Sequence, residues 1–124
     1  MDPTTSFLES LNHRPPDVLL SRVRGTVRLE LEEGDHLDTW LLVYSLGNVS
    51  AAQADRPGDC TVRTDRGFFD RIATGDVDPI AALLRNRVSV EGDLILYTYL
   101  RHLVPGPPGA HDPREWVRRR RQQR

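Results

Sequence analysis

The residues that could do chemistry are few and scattered. The four histidines, His13, His36, His102 and His111, stand far apart, and none lies at metal-ligand spacing from another histidine or from the single cysteine, Cys60. His36 falls in the acidic stretch Glu32 to Asp38, where a cation could gather, although a solvated turn accounts for the same pattern. Cys60 lies in the strand-like run DCTVRT and reads as a small buried apolar residue rather than a nucleophile. One cysteine permits no internal disulfide and no multi-cysteine metal site. There is no lysine, which removes Schiff-base chemistry and a phosphate-binding P-loop. No serine sits in a Gly-x-Ser-x-Gly elbow, and no glycine-rich dinucleotide fingerprint occurs. The expectation is a protein that is not an enzyme, with no catalytic residue, metal or cofactor. Its chemistry then reduces to the burial of apolar surface and to one concentrated run of charge.

The elements that would bury that surface are clearest from Gly75 to Val104. Asp78 followed by Pro79 is a helix start, because the carboxylate accepts orphan amide protons and proline lacks the amide that would go unpaired. Ile80, Ala81, Leu83 and Leu84 follow at helical spacing. Val88 and Val90 alternate with Ser89 and Glu91, which predicts a half-buried strand. Gly92 turns the chain and Asp93 is placed to cap a helix from Leu94 to about Leu103, which Pro105 and Gly106 stop. That helix is apolar on most of its circumference, so it must be buried on more than one face or line an internal apolar space.

Upstream, residues 3–13 predict a short helix with Phe7, Leu8 and Leu11 on one face, broken by Pro15 and Pro16. Asp17 caps a second short turn bearing Val18, Leu19, Leu20 and Val23, and Gly25 ends it. Val27, Leu29 and Leu31 alternate with charged residues, giving a strand with one wet face. The next strand, about Asp38 to Leu46, puts Trp40, Leu42, Tyr44 and Leu46 on one face and Leu41 and Val43 on the other. Apolar residues on both faces predict a central strand covered on both sides, or one beside an extra apolar space. A third strand, Val49 to Gln53, completes a meander. After a loop containing Pro57 and Gly58, a fourth strand from Cys60 to Thr64 points Cys60, Val62 and Thr64 inward. Thr64 or Asp65 then caps a helix whose apolar face carries Phe68, Phe69, Ile72 and Ala73.

The length of 124 residues fits one domain, with no apolar run near the roughly 20 residues that cross a bilayer. The N-terminal stretch lacks the pattern of a secretory signal, so the expected location is the cytoplasm. Charge is segregated. Residues 118–124 hold 5 of the 17 arginines and no acid, so residues 1–117 carry 12 basic and 18 acidic groups, a formal charge of −6. An acidic body argues against nucleic-acid binding. The proline- and glycine-rich segment from Pro105 predicts an arm, so residues 1–104 form the domain and 105–124 the arm and basic tail. Arg118, Arg119, Arg120 and Arg121, beside Trp116, could touch an anionic membrane or an acidic partner weakly, or simply be solvated.

Taken in order, Trp40 to Val43, Asp59 to Asp65, Phe68 and Phe69, Ile72 to Gly75, Asp78 and Pro79, Ala81 to Leu84, and Arg87 to Asp93 resemble the sterol-binding domain of the sterol carrier protein type 2 family, in its small bacterial form. The likeness covers roughly residues 25–104. Cys60 loosens one piece, standing between the acid and the threonine of the family's strand motif. Pro15 and Pro16 break the N-terminal arm, and the C-terminal end lacks both the family's closing apolar segment and a peroxisomal address. The resemblance implies an α+β fold, a five-stranded mixed sheet covered by helices on one face. It also implies an apolar tunnel holding a lipid, fatty acyl or sterol-like ligand, without catalysis. The candidate lining is Trp40, Leu42, Tyr44, Phe68, Phe69, Ile72, Leu83, Leu84, Leu96, Tyr97 and Leu100, with a tyrosine available to a ligand head group. The alternative is that these residues fill a closed core and that the domain serves as a protein-interaction or enzyme-accessory module through its surface and tail.

Overall fold

The computed structural model describes residues 2–105. Expectations for His111, Trp116 and Arg118 to Arg121 lie outside the described residues. Helix α1 spans Pro3–Ser10, with Asp2 accepting the Thr5 amide as its cap. A short 3-10 turn, Leu11–His13, continues it, and a second, Val18–Leu20, follows the two prolines under an Asp17 cap. Strands β1 (Arg24–Glu33), β2 (His36–Ser45) and β3 (Asn48–Gln53) make the expected meander. Gly25 does not end the preceding turn but lies within β1. Strand β4 (Cys60–Asp65) leads into α2 (Arg66–Ala73), where Asp65 rather than Thr64 supplies the cap by accepting the Phe68 amide. Helix α3 (Pro79–Leu84) starts at Asp78, and β5 (Ser89–Gly92) follows.

The expected final helix is two pieces, α4 (Leu94–Thr98) and α5 (Leu100–Leu103). Tyr99 keeps helical dihedral angles (φ −69°, ψ −19°), so what breaks is the hydrogen-bond ladder. The Thr98 hydroxyl bonds back to the Ile95 carbonyl, and the Leu96 and His102 amides reach only three residues back, to Asp93 and Tyr99. The unit is also buried on one side only. Leu96, Tyr97, Leu100 and Leu103 turn inward, while Leu94 and Ile95 face solvent.

The sheet order is β3-β2-β1-β4-β5, with β1 and β4 parallel and every other pair antiparallel. The buried strand residues share one face, and the helices pack there. The opposite face carries ion pairs. Arg28 meets Glu30 and Asp55, and Arg63 meets Glu30 and Glu32.

Strand β3 lies at one edge and β4 on the far side of β1, so residues 54–59 must cross the sheet without a helix. They cling to its outer face. The Arg28 guanidinium donates to the Arg56 carbonyl at 3.0 Å, and the Ala54 amide donates to the Thr39 carbonyl. Gly58 passes so close that a Cβ there would lie 2.8 Å from the Arg28 amide nitrogen. This answers the two-sided apolar pattern of β2. Leu41 and Val43 are half-buried on the face that this loop crosses, and among the described residues no second helical layer covers them. Leu46, expected on the inner face of β2, instead occupies the turn to β3 with φ +50° and is exposed.

Candidate functional site

The inner layer is assembled by alternation. β2 contributes Trp40, Leu42 and Tyr44, and β4 contributes Cys60 and Val62, against helix faces set at intervals of three and four residues. Of the eleven expected lining residues, nine are buried in one apolar cluster: Trp40, Leu42, Tyr44, Phe68, Phe69, Ile72, Leu96, Tyr97 and Leu100. Leu83 is half-buried. Leu84 is 78% exposed, so it does not line the interior. Helix α3 ends at Leu84, and only Pro79 and Ala82 in it are buried, which puts Leu84 on its wet side.

Most polar atoms in this layer are paired. The Tyr97 hydroxyl donates to the Pro79 carbonyl at 2.5 Å, tying α4 to the start of α3. The Trp40 indole N–H donates to Asp38 Oδ2 at 3.1 Å. The Thr64 hydroxyl donates to the Arg87 carbonyl at 3.0 Å. The exception is Tyr44, whose buried hydroxyl has no hydrogen-bond partner among the described residues. Its ring packs edge-on against Tyr99, with centroids 6.1 Å apart. Burial pushes the Tyr44 phenol well above the ordinary tyrosine range, with smaller contributions from Cys60 and Tyr99, so it stays a neutral O–H. Burial likewise pushes the Cys60 thiol up to about 11, with Asp93 adding to the effect. That thiol is an apolar filler at neutral pH, not a nucleophile.

Sequence reasoning missed the polar cluster at the other end of the layer. Asp38 is 8% exposed and receives Trp40, Gln53 and the guanidinium of Arg66. Arg66 also pairs with Asp2 and donates to the Thr5 hydroxyl, so one side chain clamps α1, β2 and α2. Beside it, the Thr4 hydroxyl donates to Asp70 at 2.5 Å. A signal was present: Asp38 has the same strand parity as Trp40, Leu42 and Tyr44, and an acid on an apolar face calls for a buried cation.

Several pockets open around this layer. A groove of about 290 Å³ runs between the Val18–Leu20 turn and α4, with Leu96 and Tyr99 at its base. An open depression of about 580 Å³ lies between α3 and β5 and takes in Leu83. A pocket of about 130 Å³ lies where Pro79, Arg101 and Val104 meet. Among the described residues, no group of three His, Cys, Asp or Glu side chains could hold a metal ion. No helix among them is long and apolar enough to cross a membrane.

The profile of the SCP-2 sterol transfer family matches residues 8–105, most of the sheet and helices just described. The chain belongs to that family. Its fold agrees with solved members. A palmitated SCP2L2 from Aedes aegypti superposes with a TM-score of 0.65 at 16% identity, over 89% of this chain and 96% of that one. The ubiquinone synthesis protein UbiJ-SCP2 superposes with a TM-score of 0.57 at 24% identity, over 79% and 82%. A variant of the sec-alkyl sulfatase PisA1 reaches 0.65 at 20% identity, over 88% of this chain and 17% of that one, so there the SCP-2 fold is one part of a much longer protein. No curated protein sequence matches the chain. SCP-2 membership thus accounts for the mixed sheet and its one-sided helical cover, and it makes the apolar layer between them the place to look for a ligand.

Proposed function

We propose that this SCP-2 domain binds a hydrophobic small molecule, a lipid, fatty acyl or sterol-like compound, between the sheet and the helices, without acting on it chemically. The observation that carries this reading is the Tyr44 hydroxyl. A buried donor left unpaired costs about 1–3 kcal/mol, and the tyrosine nearest in kind, Tyr97, is paired. A ligand oxygen brought alongside Tyr44 would remove that cost. Because the phenol is neutral and buried, it favours an uncharged oxygen such as an alcohol, carbonyl or ester over a carboxylate.

The groove of about 290 Å³ is the natural way in, since Leu96 and Tyr99 form its base and Tyr99 packs on Tyr44. The interruption at Tyr99 supports this route. An element with a broken hydrogen-bond ladder yields more easily than a continuous helix, and α4 and α5 are short. The palmitated relative supports an acyl-sized guest for the fold.

Two measurements test the reading together. Native mass spectrometry of freshly purified protein should show a co-purifying apolar molecule or accept an added one. A fluorescent fatty acyl probe should bind and be displaced by unlabelled lipid. If neither binding nor displacement is seen with lipids of any head group, the reading fails.

A further inference from the structure

The exposed apolar side chains of this protein are not spread evenly. Five large ones gather on one side. Val18 (85% exposed) and Leu19 (74%) come from the 3-10 turn, Leu46 (47%) from the β2–β3 turn, and Leu94 (48%) and Ile95 (61%) from the start of α4. Backbone bonds hold the first two of these segments together, and α4 faces the 3-10 turn across the groove over Leu96. The Leu46 amide donates to the Val23 carbonyl at 2.9 Å, and the Asp17 amide donates to the Gly47 carbonyl at 2.8 Å. Leu19 and Ile95 flank the groove over Leu96, and Arg22 and Arg24 flank it too.

The charge around this patch is cationic at its edge. Neither Arg22 nor Arg24 forms an ion pair with a described residue. The nearby acids are already engaged. Asp17 receives Arg14 and His102, each at 2.9 Å, and Asp93 accepts the Ile95 amide. Residues 1–117 carry a formal charge of −6, so an anionic surface repels most of the body and is met best by this arginine-edged side.

We propose that this face docks on an anionic lipid bilayer, with Val18, Leu19, Leu94 and Ile95 entering the interface and Arg22 and Arg24 meeting head-group phosphates. Aliphatic tips on short turns, flanked by arginine, suit a fluid interface that has no fixed shape to match. The docking is independent of whether the interior holds a ligand, and it does not use the C-terminal arginine run.

Flotation of the full chain with phosphatidylcholine vesicles, with and without phosphatidylglycerol, tests it. The wild type should float with the anionic vesicles, less so at high salt. The double variant Leu19→Asp with Ile95→Asp should lose at least about tenfold in bound fraction, while Leu84→Asp, on an exposed site of α3, should bind as wild type. Arg22→Gln with Arg24→Gln should lose about tenfold at low salt and flatten the salt dependence. Circular dichroism checks folding, and Leu19→Ser with Ile95→Ser replaces the aspartate pair if that pair unfolds. The proposal is overturned if the wild type does not float, or if the Leu19 and Ile95 variants float equally well. It is also overturned if only glutamines at Arg118 to Arg121 abolish binding. Loss of self-association without flotation would make a second copy the occupant and overturn it as well.

Discussion

Tyr44 and Asp38 sit six residues apart on the same face of β2 and illustrate opposite fates of a buried polar group. Asp38 is fully engaged by Trp40, Gln53 and Arg66, whereas the Tyr44 hydroxyl is unpaired. Removing the Tyr44 hydroxyl should therefore help the unliganded protein. Tyr44→Phe is expected to raise unfolding stability by about 1 kcal/mol in urea titrations, and to weaken binding of a lipid alcohol or ester severalfold in the displacement assay. Asp38→Ala should do the reverse, because it removes the acceptor shared by Trp40, Gln53 and Arg66 and, among the described residues, leaves the guanidinium only Asp2, Glu33 and the Thr5 hydroxyl. The cost is roughly 2 kcal/mol, read as a lower urea midpoint. Cys60 is buried with its thiol pushed up to about 11. It should react with iodoacetamide far more slowly in native protein than in urea, and fast native labelling would mean that the interior opens readily.

Among the elements, α1 depends most visibly on charge. The Thr5 amide and hydroxyl, together with Arg66, hold the Asp2 carboxyl down at about 2. Its folded value is below its ordinary 3.8, so its contribution is complete above that value and is lost as pH falls towards 2. Asp17 shifts the same way, since hydrogen bonds from the Leu19 amide, Arg14 and His102 outweigh the opposing effect of burial. Acid should thus release α1 and the Val18–Leu20 turn before the sheet, and amide exchange between pH 4 and 2 should show protection lost first at the N-terminal elements. Where β5 ends, Gly92 has φ +89° and a Cβ there would lie 2.4 Å from the Asp59 carbonyl oxygen. Gly92→Ala should cost about 2–3 kcal/mol, measured by thermal unfolding, because the backbone clash cannot relax through a flexible side chain.

At the scale of the whole molecule, the described residues present an inner apolar layer and an outer apolar patch, and the two differ in how far the sequence foretold them. The inner layer was legible in the sequence. Nine of the eleven expected lining residues are buried together, because alternation along β2 and β4 and three-to-four spacing on α2 report inward direction reliably. Leu84 was misplaced because a six-residue helix at the domain edge buries less than its composition invites. The Leu94 to Leu103 segment looked apolar all round, which pointed to burial on several faces, yet Leu94 and Ile95 remain outside.

The sequence by itself determined the elements and their order. Capping aspartates, breakers and periodicity are local, and Asp2, Asp17, Asp65, Asp78 and Asp93 all accept the amides that start their turns. The motif order also pointed to the SCP-2 family. Only the tertiary structure decided what meets at long range. It brought Arg66 to Asp38 and laid the 54–59 loop over Leu41 and Val43. It left Tyr44 without a partner and set Leu19 beside Ile95. These depend on which strands and helices become neighbours, and a period of two or of 3.6 residues states which way a side chain points but not what stands opposite it.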